Sequence, residues 1–245
     1  MTGGVLLIHA FPLDARMWDP QIAALGDDVA VVAPHLPGFG GTPGVGDVMS
    51  MAAAAERCVE ALNAAGVDRA VVCGLSMGGY VAFELWRRAR ELFAGLVLAN
   101  TRAGDDTPEG AAGRRALAER LRAEGNGFLV ESPPPLLSER ADRQLRLRVR
   151  ELIAAQPADA IASASLGMAE RPDSTGDLAT IDVPTLVVTS SLDSLIPAEL
   201  TSPMADQIPD AELVVIDGAG HLSNMEAAGP FDELLAHHLE RCLPA

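Results

Sequence analysis

Lysine is absent from this chain, and all 18 of its basic residues are arginine. That absence excludes a Walker-A phosphate loop and lysine Schiff-base chemistry together. Aromatic residues are scarce, at 4% of 245 residues, so a core drawn from the 49% of hydrophobic positions is mostly Ala, Val, Leu and Ile. Three cysteines, Cys58, Cys73 and Cys242, are too few and too scattered for a disulfide framework or a zinc site. Positive charge is short as well: the formal net charge is −16. Phosphate binding needs a basic face, so nucleic acid is excluded as a partner, and an anionic membrane surface is disfavoured on the same ground. No apolar run approaches the roughly 20 residues of a transmembrane helix. Val5–Ala10 is apolar but lacks the basic flank and small-residue cleavage site of a signal peptide. The expectation is a cytoplasmic protein, a monomer or homodimer, acting on a small molecule.

What is present is a rhythm. Short β-branched runs at Val5–His9, Val29–Ala33, Ala70–Cys73, Gly95–Ala99, Thr185–Thr189 and Glu212–Ile216 alternate with helical stretches at Met51–Ala65, Met77–Glu91, Ala198–Gln207 and Phe231–Arg241. The runs are apolar on both faces, as strands of a parallel sheet covered on both sides are. The alternation predicts a doubly wound α/β sheet. The stretch Thr101–Asp177 breaks the rhythm, with no good strand run. It holds eleven of the 18 arginines and is nearly charge-balanced, leaving the acidic excess to the rest of the chain. Arg-rich helical stretches at Ala111–Glu124 and Glu139–Ala155 flank the loop Ser132-Pro133-Pro134-Pro135, and Ala158–Ala169 follows. This predicts a core of residues 1–100 and 178–245 with a helical insertion, 101–177, lying over the sheet.

Gly74-Leu75-Ser76-Met77-Gly78 sits where a strand run gives way to a helical one. That is the context a G-x-S-x-G nucleophile elbow requires, because a strained strand-to-helix turn lifts the serine above the sheet end. The helix N-terminus beside Ser76 favours developing negative charge. A serine hydroxyl needs a base. Of five histidines, His237 and His238 lie on the last helix, His9 ends the first strand, and His35 sits in an early loop. His221, in the loop Gly218-Ala219-Gly220-His221 after the last strand, is the best-placed base, since sites in such sheets lie at the carboxyl ends of strands. Asp193 follows the fifth strand at its carboxyl end, whereas Asp182 and Asp217 lie before a strand or at its very end. The order Ser76, Asp193, His221 is that of a Ser…Asp…His triad. No HExxH, CxxC or clustered carboxylates point to a metal.

These motifs, with His9-Ala10-Phe11-Pro12 and Pro37-Gly38-Phe39-Gly40, resemble those of the α/β-hydrolases, and Leu13–Gln21 resembles the carboxylesterase, 3-oxoadipate enol-lactonase and cofactor-free haloperoxidase or perhydrolase group. The resemblance implies a six-stranded sheet in the order 2-1-3-4-5-6, entered at Val5 without the usual N-terminal hairpin. It implies an oxyanion hole from the backbone N–H groups of Phe11 and Met77, and a cap, 101–177, that shapes the substrate pocket. It also implies a serine esterase that needs no cofactor. Enol-lactonase, perhydrolase or haloperoxidase activity, or a ligand-binding role without catalysis, stay open beside it. Ala10, His35 and Ser190 depart from the commoner Gly, Asp and Gly. His9 is expected to orient the oxyanion loop. Trp18, Phe128, Met168 and Leu222 are candidates for an acyl pocket, each equally readable as plain core, and the pocket is expected to be aliphatic and Met-rich.

Overall fold

The computed structural model describes residues 3–27 and 29–243. Six strands, β1 (Gly3–Ile8), β2 (Ala30–Val32), β3 (Arg69–Leu75), β4 (Phe93–Ala99), β5 (Thr185–Ser190) and β6 (Ala211–Ile216), form one sheet in the order β2-β1-β3-β4-β5-β6. Every pairing is parallel. A parallel strand must hide both faces, and β3, β4 and β5 are buried almost throughout, whereas the edge strand β6 is not covered on both sides as expected and leaves Leu213 and Val215 exposed. Fold class and strand order agree with the expectation.

The helices before β5 are α1 (Asp19–Leu25), α2 (Met51–Ala65), α3 (Met77–Ala89), α4 (Pro108–Glu124), α5 (Gly127–Glu131), α6 (Arg143–Ala154) and α7 (Ala158–Ala169). After it come α8 (Ala198–Thr201), α9 (Pro203–Gln207), α10 (Ser223–Glu226) and α11 (Ala228–Cys242). Helix α2 starts at Ser50, whose side chain accepts from the Ala53 N–H, and ends at Gly66 in the left-handed conformation. It packs on α3, and α1 packs on α11, which lies against β4.

Short helices α5 and α10 fall outside the expected stretches, and two further departures have a local cause. The single helix expected over Ala198–Gln207 is split at Ser202, because Pro203 has no N–H to continue the ladder and starts a new turn. Helix α1, absent from the sequence reading, begins with Pro20 near its N-terminus after a short 3-10 turn, Ala15–Trp18, capped by Asp14. Between β4 and β5 the chain forms α4–α7 and no strand, and α4 packs along α7. Among the described residues no helix is long and apolar enough to cross a membrane.

Candidate active site

The turn from β3 into α3 is built by its glycines. A Cβ on Gly74 would run into the Gly78 carbonyl, and one on Gly78 would run into the carbonyl of Ile8 at the end of β1. Without those Cβ atoms the chain folds tightly enough to hold Ser76 at φ 56°, ψ −113°. A positive φ at a non-glycine residue is strained, by about 1–3 kcal/mol, and persists only where its surroundings impose it. Here they do. The Ser76 N–H donates to the Ala99 carbonyl at 2.9 Å, and the Thr101 hydroxyl donates to the Ser76 carbonyl at 2.8 Å. The end of β4 therefore grips the turn from both sides.

Asn100, between those two residues, holds the acid. Its own φ is 45°, a left-handed value that Asn tolerates better than most residues. Its Nδ2 donates to Asp193 Oδ2 at 2.9 Å and to Ser190 Oγ at 3.1 Å, and its Oδ1 accepts from Ser223 Oγ at 2.6 Å. The other oxygen, Asp193 Oδ1, accepts the backbone N–H groups of Leu195 and Ile196, each at 2.9 Å. His221 Nδ1 lies 2.8 Å from Asp193 Oδ2. Burial works against the ionised Asp193 carboxyl, yet His221, the Ile196 N–H and Asn100 outweigh it and hold the group below the usual carboxylate range.

The second ring nitrogen, His221 Nε2, is buried and has no hydrogen-bond partner. Such an atom in a native interior calls for an explanation. The loop that carries it is pinned: Glu226 Oε2 accepts the N–H groups of Gly220 and Ser138, each at 3.0 Å, and the Leu222 N–H donates to the Leu136 carbonyl at 2.9 Å. No hydrogen bond joins Ser76 to His221 in this structure. Ser76, 7% exposed, instead lines a cavity of about 260 Å³.

Phe11, in the loop after β1, lines the cavity with Ser76, and Met77 is the first residue of α3. Neither backbone N–H donates to another group among the described residues. His9 fixes the loop that carries Phe11: its Nδ1 lies 3.1 Å from the Ala10 carbonyl, and its Nε2 accepts the Leu36 N–H at 3.1 Å. Asp14 ties the same loop to residues far along the chain. It pairs with Arg16 and accepts Gln156 Nε2 at 2.6 Å, while Gln156 Oε1 accepts the Gly40 N–H at 3.0 Å.

The cavity corrects the expected pocket. Met168 and Phe11 line it, but Trp18, Phe128 and Leu222 do not. Trp18 is fully buried, tilted on Phe231 at 5.9 Å between ring centres, and belongs to the core under the β1 loop. Phe128 is half-buried on α5 with the Arg120 guanidinium 3.8 Å above its ring. Leu222 is fully buried in the core beside the histidine that it follows. The walls are instead Tyr80, Leu117, Pro134, Leu136, Leu195 and Ile196, with two arginines, Arg102 and Arg114. The lining departs from an aliphatic, Met-rich pocket: it mixes Leu, Ile and Pro with two aromatic rings, one methionine and two cations. Asn100 was also missed; the signal was an Asn directly after the strand preceding the long helical stretch.

Among the described residues no cluster of three or more His, Cys, Asp or Glu side chains could hold a metal ion. The chain is 29% identical over 236 residues to 3-oxoadipate enol-lactonase 1 of Acinetobacter baylyi, across 95% of this chain and 86% of that one. It is 30% identical over 231 residues to the pimeloyl-[acyl-carrier protein] methyl ester esterase of Aromatoleum aromaticum, across 89% and 90%. The malate-bound structure of a thermophilic esterase from Thermogutta terrifontis superposes with a TM-score of 0.94 at 41% identity, covering 98% of this chain and 92% of that one. A model of the alpha/beta hydrolase family matches residues 5–234. With that match running from the first strand into the last helix, this chain belongs to the alpha/beta hydrolase family.

Proposed function

We propose that the protein is a serine hydrolase of small carboxylic esters, with Ser76 as nucleophile, His221 as base and Asp193 as the acid that orients it. The observation that carries this reading is His221 itself. One ring nitrogen is bound to a carboxylate at 2.8 Å, and the other is buried without a partner. A carboxylate on Nδ1 fixes the proton there and leaves Nε2 as an acceptor, which is what a serine general base requires. The strained turn at Ser76 and the cavity beside it supply the nucleophile and a place for the acyl group. The enol-lactonase and the methyl ester esterase among the relatives support the substrate class, because a lactone and a methyl ester are both carboxylic esters.

In this mechanism Ser76 Oγ attacks the ester carbonyl while His221 Nε2 takes its proton. The carbonyl oxygen becomes an oxyanion that accepts from the Phe11 and Met77 N–H groups, the latter at the positive end of α3. Collapse expels the alcohol, which leaves with the proton from His221, and an acyl-Ser76 ester remains. Water attacks that ester, again giving its proton to His221, and the acid departs as Ser76 regains a proton. Residues 101–177 act as a cap on the remaining core. They contribute Arg102, Arg114, Leu117, Pro134, Leu136 and Met168 to the cavity, while Ser76 comes from the turn after β3.

A panel of p-nitrophenyl esters of increasing acyl length, with lactones alongside and fluorophosphonate labelling of Ser76, tests the proposal. Turnover with labelling at Ser76 supports it. A folded protein whose Ser76 stays unlabelled and which turns over no ester is instead a ligand-binding member of the family.

A further inference from the structure

Most arginines in this protein are matched by carboxylates, as in Arg16 with Asp14, Arg148 with Asp19, Arg241 with Asp210, and Arg87 with Glu84 and Asp177. Asp106 is different. It is the only carboxylate among the described residues that serves three guanidinium groups: Arg102 Nη2 at 2.5 Å, Arg171 Nη1 at 3.0 Å, and Arg114 Nε. The Asp106 side chain is 3% exposed. Burial alone would favour its neutral form, but Arg114 and Arg171 hold it below the usual carboxylate range, so it is charged. One negative charge against three positive ones leaves a surplus of two within a chain that is otherwise strongly acidic.

That surplus points into the cavity that Ser76 lines. Arg171 does not line it: this side chain donates to the Met168 and Gly104 carbonyls and lies 4.1 Å over the Tyr80 ring. Arg102 and Arg114 both line the cavity, and their side chains are 25% and 24% exposed. Beyond Asp106, Arg102 has no partner among the described residues, and Arg114 meets only the Met168 sulfur at 3.4 Å, a weak acceptor. Each guanidinium has five N–H donors in a planar fork that matches a carboxylate. Two such groups keep donors that solvent reaches, in a cavity walled otherwise by Leu, Ile, Pro, Met and aromatic side chains, and so offer a paired cationic fork to an incoming anion.

The geometry points to an anion subsite formed by Arg102 and Arg114 in the acyl cavity, which selects substrates carrying a second, ionised carboxylate: half-esters of short dicarboxylic acids, or lactones bearing an acid side chain. The identity of the substrate rests on the proposed ester hydrolysis at Ser76; the subsite itself does not.

The test compares each half-ester with the neutral ester in which methyl replaces the carboxylate: monoethyl succinate, glutarate and adipate against ethyl butanoate, pentanoate and hexanoate, followed by pH-stat. For the best pair, kcat/KM favours the half-ester by roughly ten- to a hundred-fold, the usual worth of charge-assisted hydrogen bonds. In Arg102→Gln and Arg114→Gln that ratio falls at least ten-fold, through a raised KM for the half-ester. A readout independent of turnover is calorimetric titration of Ser76→Ala with succinate, glutarate and adipate, where binding is seen and is lost when Arg102→Gln is added. If one arginine variant does not fold, the other, together with the wild-type ratio, decides. Neutral esters hydrolysed as well as the half-esters, with no dicarboxylate binding to Ser76→Ala, would overturn the subsite and leave the hydrolase intact. Dicarboxylate binding through Arg102 in a protein that cleaves no ester would keep the subsite and remove the hydrolase.

Discussion

Asn100 donates its side-chain amide to Asp193 at 2.9 Å, while its chain neighbours Ala99 and Thr101 hold the backbone of Ser76. Three consecutive residues at the end of β4 thus set the nucleophile's turn and the acid's orientation together. A shift of β4 would move both.

Replacing Asn100 should therefore slow turnover without touching the substrate pocket. Asn100→Gly keeps a residue at ease with the positive φ and removes the amide. Loss of a hydrogen bond to a charged group should lower kcat by about 10- to 100-fold. KM should move little. Steady-state kinetics decide between this and a purely structural role, for which kcat in the folded variant would be unchanged.

The acyl pocket should respond at Met168 and not at Phe128. Met168 lines the cavity, whereas Phe128 lies under Arg120 away from it. Met168→Ala should move the preferred acyl chain to greater length, each methylene being worth about 1–3 kcal/mol in an apolar pocket. Phe128→Ala should leave the chain-length profile in place. A shift caused by Phe128→Ala, with none from Met168→Ala, would reverse this assignment of the walls.

Acid should destabilise the fold before most carboxylates titrate. Burial pushes the His9 imidazole down to about 4, and burial with the Arg241 charge does the same at His238. Their unfolded-state value is near 6.5. Between those pH values the unfolded chain binds more protons than the folded one, so stability falls as pH falls from 6.5 to 4. It is fully retained above that window. Each histidine contributes a loss of about 3 kcal/mol over the window. Urea unfolding at pH 7.5 and 4.5 should show the drop, and His238→Gln should reduce it. Equal midpoints at the two pH values would contradict the account.

The parts of this architecture that are local in sequence were legible there. The apolar runs named six strands, and Gly74 and Gly78 marked the turn because the close approach of Ile8 and Gly78 backbone leaves room for nothing larger. The pocket was not legible, because its walls depend on how helices roll. Eleven arginines fall in 101–177, and a sequence pattern cannot say that Arg114 turns toward Asp106 while Arg120 turns toward Phe128. Trp18 is readable in the sequence as pocket or core alike, and only the packing of α11, which brings Phe231 against it, makes it core. The role of Asn100 is not legible in the sequence, because its partner Asp193 lies 93 residues away.

The central claim is that Ser76 is the nucleophile, and intact-mass and peptide mapping after fluorophosphonate treatment, run beside ester hydrolysis, tests it most directly. The account predicts one phosphonyl group per chain, on the peptide containing Ser76. In a folded Ser76→Ala protein it predicts no label and a loss of kcat of about 10⁴ or more. Near-wild-type turnover by that variant, or a label on a different residue, would contradict it.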